Sequence, residues 1–130
     1  MTAKEYLQRY LDTDREINIK LDEIQSLREL ATKTTQTFRP EEKQSTASLV
    51  AKIVDLEKEV NVAVDRLIEI KCEVEEIIKT LPDHRYREVL QLRYINGKLW
   101  REIAESLNYT DRNITYLHGK ALLVLAEMIA

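Results

Sequence analysis

The spacing of the apolar residues predicts helices along almost the whole chain. Between residues 42 and 81 they recur at alternating steps of four and three, the rhythm of a coiled-coil seam. This seam comprises Leu49, Ile53, Leu56, Val60, Ala63, Leu67, Ile70, Val74, Ile77 and Leu81. A partial stripe beside it comprises Val50, Val54, Val64 and Ile68. The apolar face is therefore wider than a seam between two helices requires.

An earlier helix is predicted from Thr2, which has Glu5 at capping-box spacing, to about residue 31. Its seam comprises Leu7, Tyr10, Ile17, Leu21, Ile24 and Ala31, and Leu27 and Leu30 widen it. Threonines and Phe38-Arg39-Pro40 then predict a loop over residues 32–42, with the second helix starting near Pro40. A loop this short predicts that the two helices fold back antiparallel on each other.

The extra stripe needs another partner, most simply a second copy of the chain. We therefore predict that residues 1–80 form a long antiparallel helical hairpin, a coiled-coil module that dimerises into a four-helix arrangement. The residues predicted to serve oligomerisation are Leu49, Ile53, Leu56, Val60, Leu67, Ile70 and Val74.

Residues 81–130 follow a different pattern of shorter helices, which begins after Pro82. One apolar face, made of Tyr86, Val89, Leu90 and Tyr94, predicts a helix to about Ile95, followed by an Asn96-Gly97-Lys98 turn. A short amphipathic helix over residues 99–107, a turn at 108–110 and a last helix from Asp111 to about Met128 come next.

The turn at residues 108–110 has the spacing of a helix-turn-helix. Ala104 lies where the two joined helices must cross, and Asn108 tolerates left-handed backbone at the turn. The buried stripe of the second helix is predicted to be Ile114, Leu117, Ala121 and Leu125, matched by Ile103 and Leu107 on the first. In such a motif the second helix lies in the DNA major groove.

Composition agrees with an all-α protein, because the chain has two Gly, two Pro and a third of its residues charged. The net charge of −3 is uneven: residues 1–79 carry 13 Lys and Arg against 17 Asp and Glu, and residues 80–130 carry 7 against 6. The C-terminal part is thus only mildly basic, so DNA affinity must come from a few well-placed groups, multiplied by dimerisation.

Several function classes are disfavoured by the residues present. The single Cys72 indicates a reducing compartment, and neither a signal peptide nor a membrane-spanning run is visible, so we expect a cytoplasmic protein without membrane contact. We see no nucleophile–base pair, phosphate-binding glycine loop or metal-ligand spacing. We therefore expect no enzyme activity, no metal, no cofactor and no small-molecule substrate.

Residues 81–125 resemble domain 4 of bacterial sigma factors, the module that reads the promoter −35 element. The matching residues are Leu81-Pro82, 87–94, Gly97, 102–104, Leu107, Thr110 and 114–122. The rest of the chain has no counterpart to the region of a sigma factor that melts promoter DNA. The motifs Tyr94-Ile-Asn-Gly97 and His118-Gly-Lys-Ala-Leu122, after a helical hairpin, are similar to the ArpU/RinA-type late-gene regulators of phages and prophages of Gram-positive bacteria.

The resemblance and the helical periodicity place the same side chains on the DNA-facing side of the last helix: Asp111, Arg112, Asn113, Thr115, Tyr116 and Lys120. Arg112 is expected to pair with guanine, Asn113 with adenine and Thr115 with a thymine methyl group or a phosphate. We expect Lys120, and Arg101 on the preceding helix, to contact phosphate. Asp111 departs from the usual basic residue of a sigma domain and is expected to stabilise the helix N-terminus.

The sequence also supports a prediction for each of three other residues in this region, Trp100, His118 and Gly119. Trp100 is predicted to pack under the turn, and His118 to be a surface or phosphate-facing residue. Gly119 costs roughly 1 kcal/mol in a helix interior and is expected to permit close approach to a backbone.

The sequence therefore predicts a hairpin module over residues 1–80 and a helix-turn-helix domain over residues 81–130. The expected function is sequence-specific transcriptional regulation through double-stranded DNA, as a homodimer, with host RNA polymerase as a possible further partner. One alternative is a phage terminase small subunit, which forms a larger ring. Another is a helical protein that binds RNA polymerase instead of DNA, which the mild basicity and Asp111 favour.

Overall fold

The structure, a computed structural model, describes residues 1–36 and 42–129. Helices α1 (Ala3–Gln36) and α2 (Glu42–Lys79) are long, and α3 (His84–Leu90) is short. A π-helical segment (Gln91–Ile95), α4 (Trp100–Leu107) and α5 (Asp111–Ile129) follow. The described residues contain no strand, which confirms the prediction of an all-α chain. None of the described helices has the length and apolar character needed to cross a membrane.

Helix α1 begins as predicted and ends later than predicted. The Glu5 amide donates to Thr2 Oγ1 (3.1 Å) and the Thr2 amide donates to Glu5 Oε2 (3.3 Å), a reciprocal capping box. The predicted end near residue 31 is wrong, because the helix continues to Gln36. The Thr32 hydroxyl donates to the Arg28 carbonyl (2.9 Å), so a threonine is accommodated inside the helix. The rest of the predicted loop, with Pro40, lies outside the described residues.

The link between α2 and α3 contains Pro82 but neither helix does. Helix α2 ends at Lys79, and Asp83 caps α3 by accepting a hydrogen bond from the Arg85 amide (2.9 Å). Side-chain and backbone hydrogen bonds from Arg85 lower the pKa of Asp83 to about 2. Pro82 thus separates the helices and does not open the second one, because the residue after it serves as the cap.

Two compact units make up the chain, and they do not divide at residue 80. The first, which we call the terminal unit, joins Met1–Asp12 to Leu67–Ala130, and the second, the middle unit, is Thr13–Arg66. These units divide the chain differently from the predicted hairpin module over residues 1–80 and helix-turn-helix domain over residues 81–130. The start of α1 and the end of α2 belong to the same unit as α3, α4 and α5.

Two apolar clusters form the interior of the terminal unit. The larger contains the buried residues Ala3, Leu7, Ile70, Val74, Ile78, Leu81, Leu90, Tyr94, Ala121 and Leu125. The smaller contains Val89, Ile103, Ala104, Ile114 and Leu117. Both clusters include residues of α5, so that helix packs against the interior along most of its length. Its orientation within the terminal unit is therefore well defined.

In the middle unit, α1 and α2 are paired by charge and by apolar contact. Ile17 and Ile24 of α1, and Ile53 and Val60 of α2, are buried. Lys20 Nζ lies 3.7 Å from Glu59 Oε2, and Arg28 pairs with Glu57 further along α1. The partner of Arg28 on α2 has a lower residue number than the partner of Lys20, as expected when the two helices run antiparallel. Leu21, predicted as a seam position, and Leu30, predicted to widen the seam, are instead exposed.

The helix predicted to reach Ile95 does so, but its last turn is π-helical. The Asn96 amide donates to the Gln91 carbonyl (3.0 Å), five residues earlier. Gly97 follows with φ +67°, a left-handed conformation that suits glycine in the predicted turn. Within this segment Tyr94 is almost completely buried, and its hydroxyl forms a hydrogen bond with His118 of α5.

Candidate nucleic-acid interface

The turn between α4 and α5 has the geometry that its sequence predicts. Asn108 adopts φ 55° and ψ 42°, the left-handed region. The Tyr109 amide donates to the Ala104 carbonyl (2.9 Å), which satisfies one of the last carbonyls of α4. Ala104 itself is buried in the smaller cluster, as expected for a small residue at a helix crossing. Two helices joined by a three-residue turn are thus present in the described chain.

Helix α5 begins at this turn and buries the face that periodicity predicts. Thr110 Oγ1 accepts a hydrogen bond from the Asn113 amide (3.1 Å), so Thr110 caps the helix. All four residues of the predicted stripe are buried: Ile114, Leu117, Ala121 and Leu125. The opposite face of the helix is consequently left to solvent.

Of the side chains predicted to contact DNA, one on α4 and the others on α5, all but one are exposed. Those that are exposed are Arg101, Asp111, Arg112, Thr115, Tyr116 and Lys120. Asn113 is half-buried, so less of its side chain is available for reading a base. Tyr116 is 60% exposed although it is a large aromatic residue. Lys120 Nζ lies 5.6 Å from the centre of the Tyr116 ring, which brings a cation and an aromatic ring together one turn apart.

The cations among these side chains have no acidic partner, unlike some cations elsewhere in the chain. Arg9 pairs with Glu73 (2.9 Å) and Arg85 with Asp83 (2.8 Å). Among the described residues, no carboxylate lies within ion-pair distance of Arg101, Arg112 or Lys120. Their charges remain available to an anionic partner.

His118, predicted to be a surface or phosphate-facing residue, is less exposed than a surface residue. It is half-buried, its Nε2 lies 2.7 Å from Tyr94 Oη in a hydrogen bond, and its ring meets Trp100 edge-on at 4.5 Å between centroids. Burial, reinforced by the charges of Lys4 and Arg93, lowers the pKa of His118 to about 4. His118 is therefore neutral near pH 7, and it links the π-helical segment and α4 to α5. The presence of a histidine at this position does not by itself predict these contacts.

Trp100 packs inward, as predicted. It is half-buried against the smaller apolar cluster and contacts His118. The Arg93 guanidinium lies 4.5 Å from the centre of the Trp100 ring and donates to the Lys98 carbonyl (3.0 Å). Trp100 thus supports the start of α4 and is not part of the exposed face.

A groove of about 400 Å³ runs beside the start of α5. Its lining comprises Lys4, Trp100, Arg101, Asp111, Ile114, Thr115 and His118. Lys4 comes from the first turn of α1, more than a hundred residues earlier in the chain. No signal in the sequence places Lys4 here, because its position depends on the packing of α1 within the terminal unit.

Gly119 and Cys72 lie outside the contacts described so far. A Cβ atom added at Gly119 would meet nothing within 4 Å, so the expected close approach to a backbone does not occur within the described chain. Cys72 is exposed and is not one of the seam residues of α2. Across the described ranges, no three His, Cys, Asp or Glu side chains gather as a metal site would require.

The residues predicted to serve oligomerisation face the interior of the single chain. Ile53, Val60, Ile70 and Val74 are buried, and Leu49, Leu56 and Leu67 are half-buried. The flanking stripe is different: Val50, Val54 and Ile68 are exposed and Val64 is half-buried. Any contact with a second copy is therefore expected to use the flanking stripe more than the seam.

Comparisons with known proteins add no relative to this picture. No family model matches the chain. No curated protein sequence and no solved structure matches it either. The functional argument consequently rests on the residues themselves and on the geometry of α4, α5 and the turn between them.

Proposed function

We propose that this chain is a sequence-specific DNA-binding transcriptional regulator, with α4, the 108–110 turn and α5 acting as a sigma-domain-4-like helix-turn-helix. The observation that carries the proposal is the exposed face of α5. It presents unpaired cations and hydrogen-bonding side chains on a helix whose other face is fully buried. A rigid, one-sided helix of this kind fits the major groove of B-DNA.

The individual side chains divide between reading bases and holding phosphates. Arg112, in the first turn of α5, has the two-pronged donor geometry that pairs with guanine N7 and O6. Thr115 donates its hydroxyl to the Asp111 carbonyl (3.0 Å), so its methyl group is the part left to meet a thymine methyl. Arg101 and Lys120 flank this region from α4 and from the next turn of α5, where phosphates run along the groove edges.

Asn113 has a smaller part in this scheme than the sequence suggests. Its backbone amide donates to Thr110 Oγ1, and its side chain is half-buried. We therefore assign the main base contacts to Arg112, Thr115 and Tyr116.

The long helices supply the second half of the proposal, a helical hairpin that dimerises. The flanking stripe leaves Val50 and Val54, one turn apart on α2, exposed in the single chain, and Val62, which lies outside the stripe, is exposed as well. Covering these side chains with a second copy would remove apolar surface from water. Two helix-turn-helix units in one dimer would then read two half-sites. The phage or prophage late-regulator type remains the family that the motifs around Gly97 and Gly119 suggest.

Selection of bound DNA from a random duplex pool tests the base-reading proposal. The wild-type protein is compared with a variant in which Arg112, Thr115 and Tyr116 are changed to alanine. A matched control carries Arg66→Ala and Asn61→Ala, two exposed positions of the middle unit. We expect an enriched motif with the wild type and the control and none with the triple variant. No enrichment from any of them overturns the proposal.

The molar mass in solution tests the dimer. Light scattering of the wild type is expected to give twice the chain mass of 15.3 kDa, and Val50→Glu with Val54→Glu is expected to give one chain mass. A mass well above a dimer contradicts this arrangement and favours a ring such as that of a terminase small subunit.

A protein partner is the second candidate function, and the exposed carboxylate of Asp111 favours it. Asp111 lies at the start of α5, where a DNA phosphate or base edge would meet a negative charge. A helical module that binds RNA polymerase would show no salt-dependent affinity for DNA. Binding of purified polymerase in the absence of DNA, with no duplex enriched, would support this candidate over the first.

A further inference from the structure

The groove beside α5 joins a residue from the start of the chain to the proposed DNA-reading helix. Lys4 lines one part of it, and Arg101, Asp111 and Thr115 line the part that belongs to α4 and α5. Lys4 and Arg101 are both exposed. The groove therefore carries two cations, contributed by two elements that are far apart in sequence.

The first turn of α1 holds Lys4 in a defined place. The residue before it, Ala3, and Leu7 one turn later are both buried in the larger cluster of the terminal unit. The capping box between Thr2 and Glu5 fixes the backbone of the same turn. Charged groups on a rigid element bind with more geometric precision than groups on a loop.

Lys4 has no evident role in stabilising the fold. It lies in the first turn of a helix, where the macrodipole disfavours a positive charge. Within residues 1–36 and 42–129, no carboxylate lies at ion-pair distance from its ammonium group. Its charge does reach the groove, because it contributes to lowering the pKa of His118 on α5. A cation placed against the local dipole and without an acidic partner is available to an anionic ligand.

We propose that Lys4 binds a backbone phosphate of the DNA duplex, on the edge of the major groove that α5 enters. The inference rests on the proposed function. Arg101 binds phosphate on the same side from α4, so the groove between them accommodates one stretch of sugar–phosphate backbone. The Asp111 carboxylate in the same lining repels a multiply charged anion more than it repels a backbone phosphate, which carries a single charge. The start of α1 thereby becomes part of the DNA-binding surface.

The salt dependence of binding tests this contact. The duplex enriched by the wild-type protein is titrated, by fluorescence anisotropy, across a series of salt concentrations. A lost phosphate contact reduces the slope of log Kobs against log[salt] by about 1 and weakens binding to all sequences alike. We expect this of Lys4→Ala, and we expect Lys4→Arg to restore the slope. Lys52→Ala, which removes an exposed lysine from the middle unit, is the matched control and is expected to change neither quantity.

The outcomes separate this inference from the proposed function. If the wild type binds its duplex and Lys4→Ala keeps both the slope and the thermal stability of the wild type, the phosphate contact is overturned and the proposed function stands. A changed base preference without a changed slope also overturns it, because a phosphate contact carries no sequence information. If the wild type enriches and binds no duplex at all, both the function and the contact are overturned.

Discussion

Tyr94 Oη and His118 Nε2 lie 2.7 Å apart and share a hydrogen bond at the junction of the π-helical segment and α5. The Tyr94 side chain is almost completely buried, and burial raises the pKa of its hydroxyl. Trp100 covers the histidine ring from α4. This hydrogen bond therefore connects the π-helical segment to α5 within a mostly apolar interior.

The protein is expected to lose stability as the pH falls below about 6.5. The pKa of His118 in the folded chain, about 4, lies below the usual histidine pKa of 6.5, so the unfolded chain binds more protons between these pH values. The contribution of His118 is thus complete above pH 6.5 and is lost as the pH falls towards 4. Allowing for residual solvent contact, it amounts to about 2 kcal/mol. Urea unfolding at a series of pH values measures it.

Two histidine variants make this measurement specific. His118→Gln keeps a polar group near Tyr94 but cannot titrate, so we expect a flatter dependence of the unfolding free energy on pH from 4 to 6.5. His84→Gln is the matched variant, because it leaves the contact between His118 and Tyr94 in place. An unchanged slope in His118→Gln would show that other groups cause the acid sensitivity.

Asn108 is expected to tolerate glycine better than alanine. Its φ of 55° lies in the left-handed region, which costs an L-residue with an ordinary side chain about 1–2 kcal/mol. Asn108→Gly should therefore leave the midpoint of thermal unfolding nearly unchanged, and Asn108→Ala should lower it. Equal midpoints for the two variants would mean that the turn relaxes out of the left-handed conformation.

Leu7 is expected to be essential to the terminal unit. It is fully buried in the larger cluster, so Leu7→Ala should lower the free energy of unfolding by about 2–5 kcal/mol. Leu21→Ala is the matched control on the same helix, because Leu21 is 45% exposed, and it should change stability by less than about 0.5 kcal/mol. Chemical unfolding followed by circular dichroism compares the two. A larger loss in Leu21→Ala would contradict the packing described above.

Gly119→Ala is expected to stabilise the protein. A Cβ atom at this position meets nothing within 4 Å, and alanine has lower conformational freedom in the unfolded chain. The gain should be about 0.5–1 kcal/mol, seen as a higher denaturant midpoint. A lower midpoint would indicate that the glycine meets another surface, such as that of a second copy.

The local features of α4 and α5 could be predicted from the sequence because they depend on residues close together in the chain. The 3.6-residue period identifies Ile114 and Leu117 as buried, and the choice of Asn at position 108 matches its left-handed backbone. Periodicity also identifies the long helices. It does not locate the end of α1, because Thr32 stays helical with its hydroxyl donating to the Arg28 carbonyl, although threonine is a weak helix former.

The long-range packing could not be predicted in the same way. Ala3 and Leu7 look like any apolar positions of an amphipathic helix, and their partners Leu90 and Tyr94 are selected only by the tertiary fold. For this reason the sequence pattern does not indicate that residues 1–12 belong to the terminal unit, or that Lys4 lies beside α5. His118 was misplaced because its burial depends on Tyr94 and Trp100, which no local pattern connects to it.

The membership of residues 1–12 in the terminal unit has a consequence for the order of folding. Contacts among α3, α4 and α5 close short loops, whereas Ala3 and Leu7 reach Ala121 and Leu125 only across more than a hundred residues of chain. The entropy of that closure is reduced if α1 and α2 pair first, because their pairing carries the start of α1 back towards α3. We therefore expect the ability to bind DNA to arise late during refolding, after most of the helical signal has formed. Stopped-flow refolding should then show far-ultraviolet circular dichroism recovering before DNA binding does.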